Sequence, residues 1–119
     1  MIDKTYSFVK IFEVELNDIR ELLILKGEKI EGQYARHEIG EYVYKQNSSL
    51  IRHKLMNLKN IENAVSDFDF RQYRSLTDMI FALDKRLIEV SDKYKIANTL
   101  RIRLMKKMKK VEAYVNLDK

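Results

Sequence analysis

The chain of 119 residues has no cysteine, no proline and no tryptophan, and only three glycines. Without cysteine there can be no disulfide framework, no thiolate nucleophile and no cysteine-ligated zinc or iron–sulfur centre, which points to a reducing, cytoplasmic setting. With proline missing and glycine confined to Gly27, Gly32 and Gly40, the punctuation of hairpins and irregular loops is almost absent, and helix becomes the default expectation. No apolar run approaches the roughly 20 residues of a membrane span. The start Met1-Ile2-Asp3-Lys4 also lacks the charged-then-apolar order of a signal peptide.

What is present is 45% hydrophobic and 34% charged residues, enough apolar material for one core and too much for wholesale disorder. The length fits one domain. The patterning predicts an all-α fold, a bundle of three long or four shorter antiparallel helices with coiled-coil-like heptad packing.

In the first segment Ile2, Val9, Leu16, Leu23 and Ile30 share one heptad position and Thr5, Phe12 and Ile19 the companion position, predicting a helix over 4–26 that Gly27 stops. A second stripe, Ala35, Ile39, Val43, Leu50, Ile51, Leu55, Leu58, Ile61 and Val65, predicts a helix over 31–66, with a break or bend near residue 48 at Asn47-Ser48-Ser49. Gly40 within that pattern suggests a kink or a close helix approach. After Asp67-Phe68-Asp69, Tyr73, Ile80, Leu87, Tyr94, Met108 and Val115 recur every seven residues, with Leu76, Leu83, Val90, Ala97, Leu104 and Val111 beside them. Only Arg101 interrupts the series. Read as one helix, this stretch would exceed ~60 Å at ~1.5 Å per residue, too long for a compact bundle of this mass. The alternative is two helices, 70–95 and 97–116, divided around Ala97-Asn98-Thr99. A homo-oligomer is expected in either case.

The charge is polarised. Lys93, Lys95, Arg101, Arg103, Lys106, Lys107, Lys109 and Lys110 fall between residues 93 and 111 with no acidic residue among them, and they account for the whole net charge of +5. An ordinary exposed helix gains from Glu-to-Lys pairs one turn apart, and this one forgoes them. The segment therefore suits a nucleic-acid phosphate backbone, RNA or DNA, contacted by Arg101, Arg103, Lys106, Lys107, Lys109 and Lys110. An acidic protein surface or an anionic lipid offers the same charge. The competing reading is a solvated face that complements the helix dipole.

Catalytic constellations are not apparent. His37 and His53 would point ~160° apart on one helix. The Glu-x-x-His pair of di-iron bundles is missing because residue 34 is Tyr and residue 50 is Leu. Arg36-His37 and Arg52-His53 are adjacent pairs, unlike the spaced Arg and His of RNA-cleaving helical bundles. There is no glycine-rich phosphate loop. Glu13 with Glu15 and Asp67 with Asp69 are better read as surface and capping groups than as an acid/base pair. No metal, cofactor or enzymatic activity is expected. Tyr34, Tyr42 and Tyr44 cluster around Gly40 as a candidate partner-binding surface, with a packing layer at the end of the bundle as the plainer alternative. Two functions are expected from this pattern: nucleic-acid backbone binding, or protein–protein interaction through an exposed apolar seam.

Overall fold

The computed structural model of the protein describes residues 3–117, so Ile2 of the first stripe lies outside the described residues. The fold is an all-α bundle of four helices: α1 (Lys4–Ala35), α2 (Glu41–Asp67), α3 (Leu76–Tyr94) and α4 (Asn98–Leu117). A single 3₁₀ turn, Phe70–Gln72, stands between α2 and α3.

Each start has a local cause. The Asp3 carboxylate accepts from the Thr5 amide at 3.0 Å and the Tyr6 amide at 3.3 Å, satisfying donors that α1 leaves open. Those bonds and the Thr5 hydroxyl hold the Asp3 carboxyl below its ordinary pKa, the hydroxyl bond contributing most. Ser75 caps α3 through the Asp78 amide at 3.0 Å. This cap corrects the expected start of the third helix at residue 70: Asp69 caps only the 3₁₀ turn, Tyr73 is extended, and Ser75 begins the helix anew. Phe68 and Tyr73 stack at 5.5 Å in the connection and pack, with Phe70, against one end of the core.

The helix ends differ from expectation for physical reasons. Gly27 does not stop α1. It keeps a right-handed backbone inside the helix, and a Cβ placed there would meet Ile51 Cγ2 of α2 at an ordinary 3.8 Å. The stop comes at His37, whose φ of 59° lets its amide reach the Tyr34 carbonyl at 3.1 Å while Glu38 reaches Gln33 at 2.8 Å. This is a Schellman closure with histidine where glycine is usual. Gly40 neither kinks a helix nor admits a close neighbour; it is the extended N-cap of α2, with nothing within 4 Å of its would-be Cβ. Nor is there a break near residue 48: α2 runs unbroken through Asn47-Ser48-Ser49, because Tyr44 and Ile51 on either side both pack on α1. The division between the last two helices does fall where the sequence places it. Lys95 adopts φ 54°, Ile96 turns into the core, and Ala97 accepts the first amides of α4.

The core joins Phe8, Phe12, Leu16 and Ile19 of α1 to Leu58 and Ile61 of α2, Met79 and Leu83 of α3, and Leu104 and Val111 of α4. Tyr94, on the expected heptad stripe, stays largely exposed beside the Lys95 turn. Burial on α1 ends at Leu23 and on α2 begins at Asn57; no residue from 24 to 56 is buried. These two halves form a helical arm that extends beyond α3 and α4 and gives the molecule its 56 Å length. Gly27 and Lys95 are therefore opposite misfits, a glycine inside a helix and a side chain in a left-handed turn. Gly27→Ala and Lys95→Gly should each raise stability by about 0.5–1 kcal/mol. Being far apart they should add in the double variant, as thermal unfolding would measure.

Candidate functional site

The acid-free run does not form a single strip. With Leu104, Met108, Val111 and Val115 buried, the six candidate cations of α4 divide among three directions. Arg103, Lys106, Lys109 and Lys110 are exposed, whereas Lys107 and Arg101 are half-buried on opposite flanks. Arg101 lines a small cavity with Asp84, Leu87, Ile88 and Leu104 at the α3 side. Lys107 turns the other way, onto α1.

That second flank contains the best-defined polar contact in the molecule. The α4 helix runs antiparallel to α1, with Lys4 bonded to Asn116 at one end, so Glu15 comes opposite the middle of α4. Lys107 Nζ donates to Glu15 Oε2 at 2.8 Å and Lys110 Nζ donates to Oε1 at 3.0 Å. The Glu15 side chain is only 13% exposed and Lys107 25%, so solvent screens this contact less than the surface pairs. The Lys107 hydrogen bond, followed by that from Lys110, holds the Glu15 carboxyl below its ordinary pKa against the opposing effect of burial. Lys107 is thus a structural group rather than a free phosphate ligand, and Lys110 is shared. Sequence reading missed Glu15. Its signal was its place on the edge of the Phe12, Leu16, Ile19 stripe, where a carboxylate must face a neighbouring helix.

The outward cations that remain are Arg103, Lys106 and Lys109, none of which lies within ion-pair distance of a carboxylate among the described residues. Arg103, Lys106 and Lys110 follow one another at helical spacing over about 10 Å of α4. On the opposite side of the molecule, Arg20 of α1 and Glu62 of α2 form the corresponding inter-helix ion pair.

The tyrosine cluster is also divided. Tyr34 and Tyr44 stack face to face at 4.1 Å between α1 and α2, and the Tyr44 hydroxyl donates to Glu31 at 2.8 Å. That bond raises the Tyr44 pKa, because ionising the phenol would set it against the carboxylate. Tyr42 does not join them; two residues from Tyr44, it points to the other side of α2 and is 77% exposed. His37 and His53 are both exposed, and no group of three or more His, Asp or Glu among the described residues could hold a metal ion. No described helix is long and apolar enough to cross a membrane.

The lowered pKa gives the Glu15 contact a definite pH dependence. A carboxyl whose folded pKa lies below its unfolded one stabilises the fold above the ordinary glutamate value of about 4.3, and loses that contribution as pH falls through the lowered value. Glu15→Gln should cost about 1–2 kcal/mol at pH 7 by urea unfolding, and the difference from wild type should vanish near pH 3. Comparison of the chain with protein-family models, with curated proteins and with solved structures finds no match.

Proposed function

We propose that the protein is a non-enzymatic, cytoplasmic binding protein that holds a nucleic-acid phosphate backbone against the outer side of α4. The observation that supports this reading is the row Arg103, Lys106 and Lys110 with Lys109 at its edge, exposed on one helix with no acidic residue between Asp92 and Glu112. Holding like charges together costs free energy that an anionic partner returns. Contacts of this type give affinity without base specificity, so the protein acts as an accessory factor rather than a sequence reader.

The arm supports a second reading, a protein-interaction module. Val43, Leu50, Asn57 and Ala64 lie on one heptad line of α2; the last two are buried, while Val43 is 43% and Leu50 52% exposed. The core-facing line of α2 therefore continues past the end of α3 with nothing covering it.

Fluorescence-anisotropy titration with single-stranded RNA, single-stranded DNA and duplex DNA at two salt concentrations separates the two. On the first reading log K falls with log salt at a slope of about −3, close to 0.9 per phosphate contact on duplex. Arg103→Glu/Lys106→Glu should remove at least two units of that slope with circular dichroism unchanged. Glu15→Gln, which frees Lys107 and Lys110, should tighten binding. If no nucleic acid binds at low salt, the first reading falls and the arm takes priority.

A further inference from the structure

The side of the bundle formed by α3 and α4 has a groove that the reading above does not use. It is a cavity of about 280 Å³ between the two helices, lined by Thr77, Ile80, Phe81, Asp84, Met105, Met108, Lys109 and Glu112. A smaller hollow bounded by Ile88 and Arg101 shares Asp84, Met105 and Met108 with it and extends it toward the Lys95 turn.

The residues along this groove repeat as a core-facing surface would. Thr77, Phe81, Asp84 and Ile88 on α3, and Arg101, Met105, Met108 and Glu112 on α4, alternate steps of four and three residues. Each helix thus carries a second seam beside the one that fills the core. On this second seam Phe81 is 74% exposed and Met105 46%, with Ile88 and the neighbouring Ile102 also open. Exposed phenylalanine beside flexible methionine is costly in water and well suited to helix packing. Two helices with an open apolar seam are half of a four-helix core.

The charges select the occupant. The groove carries both signs in equal number, Asp84 and Glu112 against Arg101 and Lys109, unlike the outward side of α4, which is wholly basic. At its centre the acid belongs to α3, as Asp84, and the bases flanking it belong to α4, as Arg101 and Lys109. A two-fold axis parallel to the helices lays α3 of one copy over α4 of the other, so that each Asp84 faces the partner's cations and Phe81 enters the partner's cavity. A perpendicular axis would set α3 on α3 and Asp84 against Asp84. A surface that is neutral overall and complementary to itself under one two-fold fits a second copy of this chain better than a partner of single charge.

We propose that the α3–α4 groove is a homodimer interface, in which two copies complete an antiparallel four-helix core around Phe81 and Met105. The dimer leaves Arg103, Lys106 and Lys110 on the far side of α4, so this inference is independent of the nucleic-acid reading. Sedimentation equilibrium over a concentration series tests it. Wild type should reach twice the 14.3 kDa chain mass. Phe81→Glu, at a position exposed in the monomer and so harmless to its fold, should weaken the dimer by about 30-fold or more with circular dichroism unchanged. Asp84→Lys should weaken it too, and Asp84→Lys/Lys109→Asp should restore it. Leu50→Glu in the arm should leave it intact. A wild type that stays monomeric at ~100 μM, or a dimer indifferent to Phe81→Glu but lost in Leu50→Glu, overturns the proposal and moves the contact, if any, to the arm.

Discussion

The architecture depends on a mismatch of lengths. Helices of 32 and 27 residues pack against helices of 19 and 20, so four helices surround one core over only part of the molecule. The mismatch is fixed at Lys95, where a left-handed residue reverses the chain and Ile96 seals the end of the core. Without that reversal the heptad pattern of the C-terminal third would run on as one helix and the first two helices would lack partners. With it, the core closes at the level of Leu23 and Asn57, and what lies above is a two-helix arm stabilised only by its own seam. The Gly27–Ile51 approach, the Tyr34–Tyr44 stack and the bond from Tyr44 to Glu31 are the contacts of that seam. Two helices alone bury little apolar area, so local opening should cost least in the arm.

The second organising contact is Glu15. A run of eight cations looks uniform in one dimension, but packing α4 on α1 places a carboxylate under two of them. Helix periodicity sends Arg101 to the opposite flank. The basic surface is consequently narrower than the basic sequence, and its width is set by which cations the core geometry turns inward. The same carboxylate registers α4 against α1, since only one offset lets both of its oxygens accept a lysine.

Much of the fold was legible because apolar spacing decides which face of a helix is buried, and that spacing is local. The four helices, the core stripes from Phe8 to Leu23 and from Leu58 to Val65, and the reversal before Asn98 all follow from it. The helix ends were less legible. Gly27 reads as a stop and is not, because the cost of an internal glycine is about 1 kcal/mol and packing of Ile30 and Tyr34 on α2 exceeds it. Asn47-Ser48-Ser49 reads as a cap and is overridden in the same way by the neighbouring contacts. Of the candidate site, the location of the positive charge was legible, but not its division. Which lysine meets Glu15 depends on the offset between helices 92 residues apart in sequence, and no local pattern carries that.

These constraints converge on α4, whose circumference is shared among four tasks. Leu104, Met108, Val111 and Val115 face the core; Lys107 faces α1; Arg101, Met105 and Glu112 face the α3 groove; Arg103 and Lys106 face outward. The helix is short, with 20 residues, and has no acidic residue before Glu112, so the two carboxylates that balance it, Glu15 and Asp84, must come from other helices. Its position in the bundle therefore rests on electrostatic complements on both flanks as well as on the apolar seam. A substitution on either flank should alter the orientation of the outward cations before it alters the core. That coupling follows from geometry alone, because a helix held from two sides by charge cannot rotate toward one without lengthening its contact with the other.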